Sequence, residues 1–204
     1  MLALTRRALF VLMLVLSLAV ALVSARYVLP GMPGGAPPVM ANAFANPALP
    51  IHAGAALLAL LIGPFQFFRR QGGRRAAWHR ISGAVYMPAC FVGGASGFLL
   101  AIGTTAGPVA ATGFGLLAAA WIYTTGQGLC ALLARRFPEH GRWMLRSFAL
   151  TLAAVTLRLY LPASAALGLD MDMAYAAISW LCWVPNLLVA EAMLAGRRPR
   201  AAPA

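Results

Sequence analysis

The chain has 204 residues, of which 62% are hydrophobic and only 10% are charged. Soluble domains carry about 25% charged residues, so this composition excludes an ordinary soluble domain and indicates an integral membrane protein. The net charge of +12 would suggest a nucleic-acid partner in a soluble protein. Here the arginines lie in short clusters between apolar runs, which is typical of topology signals, and no nucleic-acid partner is expected.

The first apolar run covers residues 8–28 and follows Arg6 and Arg7. It is long enough to span a bilayer. A basic start, an apolar centre and the small residues at 23–25 also fit a cleavable signal peptide. We interpret the run as a retained helix, a signal anchor, followed by an uncharged loop rich in Pro and Gly on the extracytoplasmic side. Together they form an N-terminal unit over residues 1–48.

Five further apolar runs follow, and each is long enough to cross a membrane. They lie at about residues 49–68, 81–102, 109–133, 147–167 and 173–194. With the first run they predict an all-α, polytopic membrane helix bundle with six transmembrane helices. Its parts are the N-terminal unit, a five-helix membrane core over residues 49–194 and a basic cytoplasmic tail over residues 195–204.

Arginine placement predicts the orientation of this bundle. Apart from Arg26 and Arg158, every arginine lies at the N-terminus, between the second and third runs, between the fourth and fifth runs, or near the C-terminus. Loops on the cytoplasmic side carry the excess of basic residues, so both termini are predicted to be cytoplasmic. The same loops are expected to contact anionic lipid headgroups. Gly93 and Gly97 form a small-residue pair that lets another helix approach closely, and a homo-oligomer is kept as an option.

Arg158 lies well inside the fifth run, where a charged side chain is costly and is usually paired or functional. Pro162 lacks the amide hydrogen that would bond to the carbonyl of residue 158, so a free acceptor and a kink are expected beside the guanidinium. Two interpretations stay open: the side chain extends outward to Asp170 or Asp172, or it binds an anion or a cofactor carboxylate. His52 has a similar depth, and we expect the two residues to line one outward-facing polar site.

His79 and His140 are both predicted to be cytoplasmic, each close to a helix start and flanked by Trp and Arg. Two histidines from different helices, beside arginines that can bind propionates, would suit a b-type haem. The alternative is an interfacial belt in which these side chains contact headgroups. Glu191, near the inner end of the sixth run, is expected to be neutralised by an arginine. The candidates are Arg80, Arg142 and Arg146.

Gln66 and Asn186 complete the set of candidate ligand or cofactor residues. At 100° per residue, Gln66 shares a helix face with His52, although the two lie at opposite depths. Asn186 lies inside the sixth run, before Glu191.

These polar residues occur in blocks that resemble a known family. The blocks are His52, residues 63–67, His79-Arg80 with Gly83 and Tyr86, His140 with residues 142–147, residues 156–158, and Trp180 with residues 183–186 and Glu191. Together they resemble the bacterial predicted-membrane-protein family catalogued as domain of unknown function 2306, from about residue 49 to about residue 194. The resemblance implies a multi-pass protein of the bacterial cytoplasmic (inner) membrane, and it brings no settled activity.

The sequence therefore predicts a membrane protein that binds a small ligand or a redox cofactor, haem or quinone, within the bundle. One alternative is a transporter in which Arg158, His52 and Gln66 form a route for a polar or anionic solute. Another is a membrane scaffold or assembly factor. The sequence contains no zinc-protease motif, nucleophile elbow or glycine-rich phosphate loop, so no catalytic residues are assigned and enzymatic activity stays open.

Overall fold

The computed structural model describes residues 2–29, 41–67 and 74–196. The described residues form eight α-helices and two 3-10 segments. The helices are α1 (Leu2–Ser24), α2 (Ala45–Ile62), α3 (Arg74–Ile102), α4 (Gly107–Leu133), α5 (Phe137–Thr151), α6 (Ala153–Ala166), α7 (Met171–Leu181) and α8 (Val184–Ala195). The 3-10 segments, Ala25–Tyr27 and Gly63–Phe67, extend α1 and α2. Most of the predicted Pro/Gly-rich loop, part of the first basic loop and the basic tail lie outside the described residues.

Six segments of the described chain are long and apolar enough to cross a membrane. The predicted all-α, six-span bundle is therefore confirmed, while the orientation of its termini stays a prediction. Spans one to four are formed by α1 to α4 in order. Spans five and six each consist of two helices, α5 with α6 and α7 with α8, and each pair is interrupted near the middle of the span.

The helices α3 and α5 begin earlier than the apolar runs predict. Pro138 lies in the first turn of α5, where its missing amide hydrogen and fixed φ are favourable. As a result His79 and His140 lie on helices and not in loops. A search by hydropathy misses such amphipathic first turns, because their polar residues lower the mean hydropathy of the segment.

The bundle is organised around α3, which packs between α2 and α4. On the other side of α4 lie α5 and α7, while α1 packs against α2 and α6. The main core cluster includes Tyr86, Trp121 and Phe148, all buried. A second cluster joins Val20 and Ala21 of α1 to residues of α2 and α6. Helix α1 is thus packed against the five-span core.

The interruption of span five lies at Leu152 and not at Pro162. Helix α6 runs from Ala153 to Ala166 and continues through Pro162. Around Leu152 the Thr151 hydroxyl donates to a backbone carbonyl of its own span, that of Ser147. Threonine hydroxyls that bond back to the helix compete with the backbone ladder and bend helices. The kink expected beside Arg158 stays a prediction, and the break at Leu152 is an additional irregularity of this span.

Candidate functional site

Arg158 lies half-buried on α6. Its Nη1 donates to the carbonyl oxygen of Ala154, one turn earlier in the same helix, at 3.1 Å. Side chains on a helix point toward its N-terminus, which here is the middle of span five. The guanidinium is therefore directed back along α6 and not outward beyond the end of the span.

No Asp or Glu side chain pairs with Arg158. The chain has four acidic residues, and all of them lie in the described part. Glu139 and Glu191 pair with other arginines. Asp170 caps α7 by accepting from the backbone amide of residue 173 at 2.9 Å, and Asp172 is exposed in the first turn of that helix. The contact of Arg158 with Asp170 or Asp172, one of the two interpretations of the sequence, is not formed.

Two residues of the turn after α1 lie within electrostatic range of Arg158. Arg26 and Tyr27, on the 3-10 turn after α1, both interact electrostatically with Arg158. The Arg26 guanidinium carbon lies 5.5 Å from the centroid of the Tyr27 ring. His52 is also within electrostatic range of Arg158. The structure thus places His52 and Arg158 at the same end of the bundle. Their joint role in binding stays a prediction.

His52 is fixed by a glycine-lined contact with α3. Its Nδ1 lies 2.8 Å from the carbonyl oxygen of Gly93. A Cβ on Gly97 would lie 3.0 Å from the imidazole, and a Cβ on Gly93 would lie 2.9 Å from the Trp121 ring. Because a carbonyl only accepts, Nδ1 carries the proton and a neutral imidazole keeps Nε2 as an acceptor. Because Gly93 and Gly97 have no side chains, α3 leaves space for the rings of Trp121 and His52.

His140 repeats this arrangement at the other end of the bundle. Its Nδ1 lies 2.8 Å from the carbonyl oxygen of Gly128 on α4. A carbonyl at Nδ1 orients the opposite nitrogen of a histidine as a metal ligand. His79 is half-buried on α3. Haem ligation by His79 and His140 stays a prediction. Among the described residues no group of three or more His, Cys, Asp or Glu side chains suits a metal ion held by protein ligands alone.

Two cavities lie along α2, and neither is lined by a histidine. The larger, of about 330 Å³, lies between α2 and α3. The smaller, of about 150 Å³, lies between α1 and α2. Nearly all of the lining is aliphatic or aromatic, so these spaces suit acyl chains better than a polar headgroup.

Gln66 lies apart from the outer pair. Its Nε2 donates to the Ser82 hydroxyl at 2.6 Å, near the start of α3. His52 contacts the same helix at Gly93, which is roughly 16 Å farther along at 1.5 Å per residue. His52 and Gln66 both contact α3, as expected for two residues on one face of the second span. A polar route from Gln66 to Arg158 stays a prediction.

Glu191 is held by one of the three expected arginines. Arg146 donates through Nε and Nη2 to the two carboxylate oxygens of Glu191, at 2.5 and 2.8 Å. The Arg146 guanidinium also lies 4.6 Å from the centroid of the Trp143 ring. Glu191 therefore joins α8 to α5, which is a structural role.

Asn186 joins the interruptions of spans five and six. Its Nδ2 donates to the Thr156 hydroxyl at 3.2 Å and to the carbonyl of Cys182 at 3.0 Å. The Thr156 hydroxyl donates to the same carbonyl at 2.5 Å. Sequence reasoning selected Asn186 but missed this role. The available signal was Pro185, which removes one backbone donor next to the break.

A buried hydrogen-bond network between α3, α4 and α5 was missed as well. Thr151 contacts the Tyr86 hydroxyl at 2.9 Å and the Trp121 indole nitrogen at 3.1 Å. Ser147, one turn earlier, contacts the Thr125 hydroxyl at 2.8 Å. The spacing of four residues places Ser147 and Thr151 on one helix face, but the sequence does not indicate their partners on other helices.

The comparisons with known proteins agree with this architecture. The model of the predicted membrane protein family, domain of unknown function 2306, matches residues 49–194. The chain belongs to this family. The family region covers α2 to α8 almost completely and includes every candidate residue from His52 to Glu191, whereas α1 with Arg26 and Tyr27 lies outside it. No curated protein and no solved structure matches the chain significantly.

Proposed function

We propose that this membrane protein binds an anionic small molecule in the outer half of the bundle, with Arg158 as the residue that binds the negative charge. The observation that supports the proposal is the missing counter-charge. Arg158 lies inside span five, and none of the four Asp and Glu side chains pairs with it. A charged residue within a span is costly and commonly marks a ligand or ion site.

The hydrogen-bonding capacity of Arg158 supports the same proposal. A guanidinium has five N–H donors in a planar fork, and one bond to the carbonyl of Ala154 uses a single donor group. The fork matches the oxygens of a carboxylate or a phosphate. An anion at this position would satisfy both the charge and the remaining donors.

His52 supplies the second polar contact of the proposed site. Its Nδ1 is occupied by the carbonyl of Gly93, so a neutral imidazole offers Nε2 as an acceptor. A ligand with a hydroxyl or protonated group near its anionic group fits this pair of side chains. Arg158 then provides most of the binding energy and His52 provides selectivity.

The test is thermal unfolding in a neutral detergent with acetate, benzoate, phosphate or sulfate, at constant ionic strength and with chloride as the reference. An anion at about ten times its Kd stabilises the folded state by about 1.4 kcal/mol, which for a chain of this size shifts Tm by about 3–6 °C. Arg158→Met should abolish this shift. Arg158→Lys should retain a smaller one.

Arg136→Met is the matched control, because Arg136 is exposed and pairs with Glu139 in the turn between α4 and α5. It removes the same charge at the other end of the bundle and should leave the anion effect intact. The proposal fails if Arg158→Met keeps the full shift, or if no anion stabilises the wild-type protein more than chloride does.

A second candidate function is a single b-type haem at the predicted cytoplasmic end. The specific observation is the contact of His140 Nδ1 with Gly128, which orients Nε2 as a metal ligand. Protein expressed with a haem supply should then show a Soret band that His140→Ala removes. A wild-type spectrum without this band rules the haem out.

The location follows from the arginine distribution. We propose that the protein lies in the cytoplasmic membrane with both termini inside, and that the basic loops contact anionic headgroups. This orientation makes the Arg158 site accessible from the extracytoplasmic half of the bilayer.

A further inference from the structure

We infer that the cavity between α1 and α2 binds an apolar, membrane-soluble ketone of about the size of one six-membered ring, through a hydrogen bond from the Ser17 hydroxyl to the ketone oxygen. The cavity shares no residue with the proposed anion site, so this inference does not depend on the proposed function.

The cavity has a volume of about 150 Å³ and lies within spans one and two. An apolar cavity of about this volume in a protein interior holds benzene. The side chains that form its wall are those of Leu14, Ser17, Leu18, Leu60, Leu61 and Phe65. Among these described residues, the Ser17 hydroxyl is therefore the only polar side-chain group.

Ser17 differs from other serines on the helices of this chain. The Ser24 hydroxyl donates to the carbonyl of Val20 at 2.7 Å. The Ser96 hydroxyl donates to that of Val92 at 2.6 Å. Ser17 is 1% exposed, and its hydroxyl has no hydrogen-bond partner among the described residues. A buried hydroxyl without a partner is costly, and an acceptor on a ligand would remove that cost.

The wall of the cavity suits a ketone better than water. A buried water needs roughly two to four polar partners, and this wall offers a single hydroxyl. A carbonyl oxygen accepts the Ser17 hydrogen, whereas a ligand that donates to Ser17 would leave this hydrogen without an acceptor. A quinone has two carbonyl groups, and one of them would stay unsatisfied. An apolar body with one carbonyl group is therefore the best match.

The depth of Ser17 excludes the ester carbonyls of phospholipids. Span one begins at Phe10, so Ser17 lies about 10 Å inside it at 1.5 Å per residue. Phospholipid esters lie in the interfacial region outside the hydrocarbon core. A ketone on an apolar ring dissolves in that core and can place its oxygen at this depth.

Packing next to the cavity fixes the two helices that form it. A small buried cluster joins α1 to α2 and α6 one turn beyond Ser17, and it consists of Val20, Ala21, Leu60 and Val155. Leu60 belongs both to this cluster and to the wall of the cavity. The space beside Ser17 is thus part of the packed structure.

The experiment compares cyclohexanone with methylenecyclohexane, which have the same shape and differ only in a carbonyl oxygen against a CH₂ group. Binding to the full chain in detergent micelles is measured by equilibrium dialysis against protein-free micelles, which corrects for partitioning into the detergent. Because of the one added hydrogen bond, wild-type protein should bind cyclohexanone about three- to tenfold more tightly. Ser17→Ala should bind the two compounds equally, and Leu61→Trp, which fills the cavity, should bind neither.

The matched control is Ser96→Ala, which removes a buried hydroxyl that already bonds within its own helix and should keep the ketone preference. Ser17→Ala should be as resistant to sodium dodecyl sulfate as the wild type or more so, because it removes a hydroxyl without a partner. A loss of resistance would show that Ser17 is structural and would overturn the inference.

Three binding results would also overturn the inference. They are a wild type that binds both compounds equally or binds neither, a Ser17→Ala protein that keeps the ketone preference, and a Leu61→Trp protein that binds like the wild type. The anion effect of Arg158 is measured separately, so failure of this inference leaves the proposed function intact.

Discussion

At the scale of single residues, Thr151 shows how a polar group is accommodated in the middle of this bundle. Its hydroxyl donates its one hydrogen to the carbonyl of Ser147 at 3.0 Å. The contacts with the Tyr86 hydroxyl and the Trp121 indole must then be accepted by Thr151, so both of these residues are donors. One buried oxygen therefore satisfies two donors on two neighbouring helices.

Thr151→Val should destabilise the protein, because it leaves the Tyr86 hydroxyl and the Trp121 indole nitrogen without their acceptor. An unsatisfied buried donor costs about 1–3 kcal/mol, and hydrogen bonds between membrane helices lie at the lower end, so we expect a loss of about 1–3 kcal/mol in total. The measurement is unfolding by sodium dodecyl sulfate in mixed micelles, followed by tryptophan fluorescence.

The control for this prediction is Thr112→Val. The Thr112 hydroxyl is exposed and donates only to the carbonyls of residues 108 and 109 in its own helix. It should change the free energy of unfolding by less than about 0.5 kcal/mol. Equal effects of the two substitutions would show that the Thr151 network contributes no specific stability.

At the scale of the helices, α3 determines how closely its neighbours approach. Its glycines leave space for His52 from α2 and for Trp121 and Ile122 from α4. Gly126 on α4 is different, since a Cβ there would meet its nearest neighbour, Phe91, only at 4.0 Å. The two kinds of glycine are expected to respond to alanine in opposite ways.

Gly93→Ala should destabilise the protein by about 1–3 kcal/mol, because its new methyl group would lie 2.9 Å from the Trp121 ring. Gly126→Ala should be neutral or stabilising by up to about 1 kcal/mol, since alanine is the better helix former and no neighbour must move. Detergent unfolding of both variants checks the contrast. A Gly93→Ala protein as stable as the wild type would refute the close contact of α3 with the indole ring.

Elements with a periodic or compositional signal were predictable, and the interruptions inside spans were not. Twenty-residue apolar runs define six spans because the bilayer admits few other structures. The break at Leu152 lies next to Thr151, whose hydroxyl bonds to the carbonyl of Ser147 in the same span, and no periodic signal marks it. Pro162 carried the stronger local signal, yet α6 tolerates it.

The candidate site was predictable to the extent that rare polar residues in apolar runs are visible. Arg158 and His52 were found in this way, and the structure places them within electrostatic range. Arg26 was set aside as an exception to the arginine pattern. The packing of α1 on α6 is not encoded in hydropathy.

At the scale of the whole molecule, charge and polarity are divided between the two ends of the bundle. One end holds Arg26, Arg158 and His52, without a carboxylate partner for either arginine among the described residues. The other end holds the bidentate pair of Arg146 with Glu191. If basic residues mark the cytoplasmic side, the second end is inside, and the anion site is open to the extracytoplasmic half.

Single cysteines at the two ends test this orientation in intact cells. Leu169, 52% exposed between α6 and α7, is predicted to lie outside, and Arg136, in the turn between α4 and α5, is predicted to lie inside. In a Cys130→Ala background, which removes the exposed native thiol, a membrane-impermeant maleimide should label Leu169→Cys directly and Arg136→Cys only after permeabilisation. The reverse labelling pattern would show that the protein has the opposite orientation in the membrane. Arg158 would then face the cytoplasmic half, and its ligand would have to come from the cell interior.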